Sequence, residues 1–316
     1  MISIVCPAYN EAENLRELYR QVSAAMEGAG EQYELIIVEN GSTDNSIEIL
    51  KQLREKDDRV HYLSLSRNFG HQGANLAGLH HSRGDAVITM DADLQHPPAL
   101  LPELIRKWKE GFDVVYTVKD LSRSDIPFLQ HWFTRWFYIL ISYLSGLKMD
   151  YGQSDFRLLD RKVVNVIDNI PAKDWFLRGI VSWVGFAQTG ITYEVHERFA
   201  GSSKFSFGNY LSFALKGIFS FSIIPLRIMT FLGLGIAALS FAYGFWISMH
   251  YLLGVLGIIA MDLPRGWSTV IVAIMFIGGI QLIGLGLLGE YVGRSFHHTL
   301  GRPAFIVKDT SLERED

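Results

Sequence analysis

The sequence has almost no cysteine: Cys6 is the single one in 316 residues. One thiol cannot close an intramolecular disulfide, so packing must hold the fold, and this usage points to a reducing compartment. Cys6 itself reads as a buried strand residue. A strong charge of either sign is also missing, since 29 Lys and Arg against 33 Asp and Glu leave a net charge of −4. That balance excludes a protein that holds nucleic acid by neutralising many phosphates, and anionic ligands must be met by local basic groups. No repeat at a period of about twenty to fifty residues is visible. The opening run, Met1 to Pro7, is too short for a signal peptide and has no basic flank, so the N-terminal part is expected to stay cytosolic.

What is present is unevenly distributed. Charges are dense up to Lys204 and sparse after Lys216. Ile228 to Met249 and Ser268 to Gly289 carry no formal charge, and each is long enough to cross about 30 Å of hydrocarbon. The stretch between them, Tyr251 to Trp267, is broken by Asp262, Pro264 and Arg265 and suits a short re-entrant or interfacial helix. Lys204, Lys216 and Arg227 precede the first run, and Arg294, Arg302 and Lys308 follow the second, whereas Arg265 is alone in the connection. The positive-inside rule then places both termini in the cytosol. The expected organisation is a cytosolic domain over 1–204, a juxtamembrane segment over 205–227, two spans within 228–294 (228–250 and 268–290), and a cytosolic tail over 295–316.

Ile2 to Cys6 and Glu34 to Val38 are β-branched-rich runs bounded by turn residues. Glu13 to Gly28 between them has helical spacing with glycine near its end, which predicts a β-α-β unit. The alternation continues with Asn45 to Glu55 as helix, Val60 to Ser64 as strand, Gly73 to His81 as helix, Ala86 to Asp91 as strand, Leu100 to Glu110 as helix and Val114 to Val118 as strand. Such a pattern predicts an α/β fold with a parallel sheet covered on both faces. Ligands bind beyond the carboxyl ends of such strands, which gathers Ala8 to Glu11, Glu39 to Asp44 and Asp91 to Gln95 around one crevice.

Asp91-Ala92-Asp93 places two carboxylates where one Mg²⁺ or Mn²⁺ could bridge them to a diphosphate. Alone, such a pair also fits a solvated turn; its position between a strand and the helix-starting Pro97-Pro98 favours a site. Tyr151 to Arg161 sets apolar residues inside a charged stretch, the pattern of a helix start, with Asp155 near the helix N-terminus and a plain N-cap as the other reading. Arg198-Phe199-Ala200-Gly201-Ser202-Ser203-Lys204 combines cations, hydroxyls and a glycine, which suits a phosphate clamp or a basic flank on lipid headgroups. Ile126 to Leu147 has its aromatic and aliphatic residues at helical spacing, predicting a helix flat on the membrane, with a buried core helix as the alternative. Phe205 to Phe221 has similar character. Gly284-Leu285-Gly286-Leu287-Leu288-Gly289 matches the dinucleotide G-x-G-x-x-G spacing, but it lies inside a span with no preceding strand and suits helix packing instead.

Pro7-Ala8-Tyr9-Asn10-Glu11, Val38-Glu39-Asn40-Gly41-Ser42-Thr43-Asp44, Ser66-Arg67-Asn68-Phe69-Gly70 and Asp91-Ala92-Asp93-Leu94-Gln95-His96-Pro97-Pro98, in that order, resemble the inverting family 2 glycosyltransferases of the GT-A fold. Within that family the chain looks like the polyprenyl-phosphate glycosyltransferases over nearly its whole length. The resemblance implies a Rossmann-like, mostly parallel GT-A domain that transfers a hexose of the glucose or mannose class, from a UDP-glucose or GDP-mannose type of donor, to polyprenyl phosphate. It implies Mg²⁺ or Mn²⁺ as cofactor and a bacterial inner membrane as the setting, with membrane lipid as a partner and a homo-oligomer left open.

The same resemblance assigns nucleotide-sugar binding to Pro7, Ala8, Tyr9, Glu11, Glu39, Asn40, Asp91, Ala92 and Lys119, and metal binding to Asp91, Asp93 and Gln95. It makes Asp155 the catalytic residue facing the acceptor. Arg123, Arg135, Arg198, Ser203 and Lys204 are assigned to the lipid phosphate or the diphosphate. A lipid phosphate is already largely ionised at neutral pH, so Asp155 is expected to orient the nucleophile more than to deprotonate it. Glu39-Asn40 stands where many relatives carry two aspartates, which leaves the base open. His71, where many carry lysine, reads either as a site residue or as a loop histidine. Two other functions compete. A processive synthase would carry a Gln-x-x-Arg-Trp motif, but Gln130 lies too far from Arg135-Trp136. A non-catalytic nucleotide-binding subunit would not need Asp91, Asp93 and Asp155.

Overall fold

A computed structural model describes residues 1–120, 153–170, 177–193, 223–257 and 266–312. They fall into two units, one from Met1–Ser220 with Gly301–Asp316 and one from Phe221–Leu300.

The first unit is built on strands β1 (Ile2–Ala8), β2 (Tyr33–Glu39), β3 (Val60–Leu65), β4 (Ala86–Thr89), β5 (Val114–Lys119), β6 (Gln153–Asp160), β7 (Gln188–Tyr193) and β8 (Val307–Thr310). They form one sheet in the order β7-β5-β6-β4-β1-β2-β3-β8. β1 pairs in parallel with both β2 and β4, and β2 with β3. Every residue of β1 and β2 is buried, which is why these strands read as continuous apolar runs instead of alternating ones.

Helices α1 (Ala12–Ala29), α2 (Ser46–Lys56), α3 (Gly70–His81), α4 (Leu101–Lys109), α5 (Arg161–Asp168) and α6 (Leu177–Trp183) cover the sheet. α1 buries Leu15, Leu18, Val22 and Met26, one stripe at helical spacing, and stops at Gly30, whose left-handed backbone (φ 68°) turns its N–H back to the Met26 and Glu27 carbonyls. α3 approaches β1 closely because Gly78 faces Val5, where a Cβ would overlap the valine side chain.

The sequence-predicted helices and strands up to Lys119 are present, with ends moved by a few residues. Two differences bear on function. The segment around Asp155 is not a helix start. It is β6, antiparallel to both β4 and β5, and the helix begins only after Asp160, whose side chain caps the Lys162 N–H at 2.9 Å. Phe156 and Leu158 face the main core while Asp155 and Arg157 take the other face, so the true period is two. Burial of Arg157, a charged residue, hid that period. The second difference is at the C-terminus. Val307–Thr310, expected within a tail, pairs antiparallel with β3, and Tyr62 and Ser311 exchange hydrogen bonds at the strand end. An added strand there covers a row of backbone groups that an open edge would leave bare.

The second unit is helices α7 (Ile224–Val255) and α8 (Trp267–Thr299), both long and apolar enough to cross a membrane. Large side chains such as Phe231, Phe241, Met275 and Leu282 point outward on them. Gly284 of the glycine spacing in α8 faces Met229 of α7, where a Cβ would lie 3.2 Å from the methionine methyl, so it serves helix contact. Arg123, Arg135, Arg198, Ser203 and Lys204, and the amphipathic segments 126–147 and 205–221, lie outside the described residues.

Candidate active site

The carboxyl ends of β1, β2, β3 and β4 open onto one edge of the sheet, and hydrogen bonds tie their loops together. After β1, Asn10 takes a left-handed backbone (φ 56°), which asparagine tolerates better than most residues. Its side-chain oxygen accepts the Thr43 N–H at 2.8 Å, while its own N–H donates to Ser42 Oγ at 3.0 Å. Ala12 donates to Asp44 Oδ2 at 3.1 Å. The loops carrying Pro7 to Glu11 and Glu39 to Asp44 are therefore one interlocked surface, with Tyr9 exposed on it.

Glu39 and Asn40 are both buried. The Glu39 carboxylate accepts the Ser42 N–H, closing its own turn, and the Ser64 hydroxyl at 2.7 Å. The Asn40 amide donates to Asn68 Oδ1 and to the Gly70 carbonyl, each at 3.2 Å, and accepts the Phe69 N–H at 2.9 Å. Its functional atoms are thus engaged with the loop after β3. Gly41 (φ 71°) lies against the same loop, where a Cβ would sit 2.5 Å from the Arg67 carbonyl carbon. Only glycine meets both demands.

The loop after β4 carries Asp91, Ala92, Asp93 and Gln95. Leu94 has φ 63°, a strained setting for a bulky side chain that costs on the order of 1–3 kcal/mol and persists where surroundings over-determine it. Asp93 Oδ1 accepts the Gln95 N–H at 3.1 Å. His96 is buried, accepts the Asp91 N–H on Nδ1 at 2.9 Å and meets Ser154 Oγ through Nε2 at 2.8 Å. Burial first, and then the Lys119 charge, lower its proton affinity against the pull of nearby aspartates, so the ring is neutral. Cys6 lies beneath; burial and the Asp91 charge push its thiol far up, which leaves it inert.

Among the described residues no three His, Cys, Asp or Glu side chains form a ready-made metal cage. The donor set of Asp91 and Asp93, with Gln95 as a neutral oxygen, suits a hard cation that takes one or two carboxylates and completes its shell with water and substrate phosphates. Asp91 is partly exposed, as such sharing requires.

Asp155, the third residue of β6, lies next to this loop, its carbonyl held by the Thr89 hydroxyl at 2.7 Å. Arg178 of α6 approaches its carboxylate with two nitrogens at 3.2 and 2.9 Å, and Arg157 adds Nη2 at 3.1 Å. Burial alone would raise the Asp155 proton affinity, but Arg178, Arg157 and His71 override it and hold the carboxyl well below the usual range. Arg157 is fully buried, with Nε and Nη1 lacking partners among the described residues, and burial lowers its own value to about 10. His71, at the start of α3, places Nε2 3.5 Å from Asp91 and 3.8 Å from Asp155. The loop after β4 and the Asp155 carboxylate are therefore neighbours. Lys119 ends β5, opposite Tyr193.

Sequence reasoning missed Arg157, Arg178 and Ser154, and it passed over His96. His96 stood inside a quoted motif and its burial was the missing fact. Arg178 carried no local signal, because the fold alone brings it to Asp155.

The family model for glycosyl transferase family 2 matches residues 3–167. A bactoprenol glucosyl transferase of Shigella phage SfV is 41% identical over 98% of this chain and 98% of its own. A prophage bactoprenol glucosyl transferase homolog of Escherichia coli is 40% identical over 97% of this chain and 98% of its own. An uncharacterised glycosyltransferase of Synechocystis is 40% identical over 98% of this chain and 95% of its own. Glucosyl-3-phosphoglycerate synthase from Mycobacterium tuberculosis, a solved structure, is 19% identical over 69% of this chain and 77% of that one, with a TM-score of 0.47. On the strength of that motif-bearing sheet edge and these full-length matches, the chain belongs to glycosyl transferase family 2 and is a glycosyltransferase.

Proposed function

We propose that this enzyme transfers glucose from a nucleotide sugar to a polyprenyl phosphate, with inversion and with Mg²⁺ or Mn²⁺, at the cytosolic face of a bacterial inner membrane. The observation that carries the reading is the shared length and sequence with bactoprenol glucosyl transferases, from β1 through both apolar helices to β8. Lys and Arg flanking α7 and α8 support the cytosolic placement of the catalytic unit.

In this reading the donor diphosphate sits at the Asp91 to Gln95 loop. Asp91, Asp93 and Gln95 would hold the metal ion, which would supply charge neutralisation for the departing diphosphate. Lys119 adds a cation at the same edge. The acceptor's phosphate oxygen forms a bond to the anomeric carbon from the face opposite the leaving oxygen. The bond to the diphosphate breaks, and the nucleoside diphosphate leaves with both electrons. Asp155, kept ionised by two arginines, fixes the approach of groups beside it and takes no proton. Arg198, Ser203 and Lys204 bind the acceptor phosphate or the diphosphate, and Arg123 and Arg135 belong to the same set.

The test incubates the purified full chain with undecaprenyl phosphate, Mn²⁺ or Mg²⁺, and UDP-glucose or GDP-mannose in separate reactions. A glucosyl lipid of inverted anomeric configuration, lost with EDTA and in Asp93→Ala, is expected. Mannose transfer at equal rate, or full activity in EDTA, overturns the corresponding part.

A further inference from the structure

The last sheet hydrogen bond on the way into the metal loop is Met90 N–H to the Val5 carbonyl at 3.0 Å. Beyond it, the Asp91 N–H leaves the strand ladder, and the loop must turn through the strained Leu94. One side chain closes that turn. His96, only 1% exposed, accepts the Asp91 N–H on Nδ1, which puts the ring hydrogen on Nε2, where it donates to Ser154 Oγ at 2.8 Å. Its ring stacks on Phe156, centroids 5.2 Å apart and 22° between planes. Ser154 and Phe156 flank Asp155. A single imidazole is thus bonded on one side to the residue expected to hold the metal and on the other to the strand that carries the acceptor carboxylate.

We propose that His96 is a positioning residue that sets the Asp91 carboxylate for the metal ion and fixes its separation from Asp155. This rests on the reading of Asp91 as a metal ligand. Groups behind a metal ligand govern its aim, and their loss weakens metal affinity by about 10- to 100-fold. The Asp91 main chain is what His96 holds, so the effect is on where the carboxylate points, not on its charge.

The test uses full-length protein, Mn²⁺ titrated with UDP or GDP present and read by electron paramagnetic resonance, alongside thermal melting. His96→Phe keeps the ring against Phe156 and removes both hydrogen bonds. His96→Asn loses the stack but keeps an acceptor near the Nδ1 position. The expected result is a crossed order: His96→Phe, which keeps the stack, melts above His96→Asn yet binds Mn²⁺ about 10- to 100-fold more weakly than the parent, while His96→Asn melts lower and binds closer to the parent. A purely structural role predicts that affinity follows melting temperature, and that order, or parental Mn²⁺ binding by His96→Phe, overturns the inference. Asp91→Ala separates the two claims. If it binds Mn²⁺ as the parent does, the metal reading of Asp91 falls and takes this inference with it. If it loses Mn²⁺ while His96→Phe does not, the metal reading stands and the inference alone is wrong.

Discussion

Arg178 grips both oxygens of Asp155, Nε to Oδ1 at 3.2 Å and Nη2 to Oδ2 at 2.9 Å. Arg157 adds a bond to Oδ1, and against the upward pull of burial the two guanidinium groups hold the carboxyl well below the usual range, which favours a positioning role over proton transfer. Asp155→Asn is therefore expected to lower kcat by about 100-fold through lost positioning, while the pH–rate profile between roughly pH 6 and 9 keeps its shape. Loss of a limb of that profile would show that Asp155 does take a proton. Arg178→Ala is expected to lower kcat similarly, because it frees the carboxylate to move.

Asn40 ties the loop after β2 to the loop after β3 through both ends of its amide. Asn40→Asp turns a carboxylate oxygen toward the Gly70 carbonyl and the Asn68 oxygen. That mismatch costs about 1–3 kcal/mol of loop stability, and the loop leads directly into His71. Donor KM should rise several-fold, by the steady-state assay with donor varied, with a smaller change in kcat. An unchanged KM would mean that the loop tolerates the swap.

His71 stands between Asp91 and Asp155 on the accessible side of the site. His71→Ala is expected to lower kcat/KM at least tenfold while leaving the melting temperature within a few degrees, because the residue is exposed and its loss opens no cavity. Parental kinetics in this variant would return His71 to the status of an ordinary loop histidine.

Asp57 is held by Arg59, which brings its carboxyl down to about 2 against the pull of burial, with Tyr19 adding a hydrogen bond at 2.9 Å. A carboxyl whose folded value is depressed contributes stability that is complete above the unfolded value, about 3.9, and is lost as pH falls toward about 2. Asp57→Asn should therefore be less stable than the parent at pH 7, and the gap should close on acidification through that window. Denaturant melts at pH 7 and pH 3 measure it; a gap independent of pH would assign the effect to packing.

Among the described residues β8 pairs only with β3, and Phe305 beside it packs against His80 and His81 of α3. Phe305 is half-buried, so Phe305→Ala is expected to cost about 1–2 kcal/mol, below the range for a core aromatic, and removal of 301–316 should expose the β3 edge and cause association. Light scattering of the shortened chain checks the second outcome, and a monodisperse product would contradict it.

The sequence by itself determined the alternating strands and helices up to Lys119, because burial on both faces of β1 and β2 requires continuous apolar runs and helices need an apolar stripe. It also determined which loops meet, since parallel strands send their carboxyl ends to one edge. Asp91, Asp93 and Asp155 were legible as motifs, and α7 and α8 as uncharged runs. Tertiary structure decided the rest. It made the Asp155 segment a strand, because antiparallel pairing with both β4 and β5 buries Arg157 and conceals the period of two. It brought Arg178 to Asp155 and β8 to β3 across distances in sequence that no local pattern encodes. It also turned His96 inward, where one buried ring joins the loop after β4 to β6, because only the packed sheet places Ser154 and the Asp91 N–H on opposite sides of it.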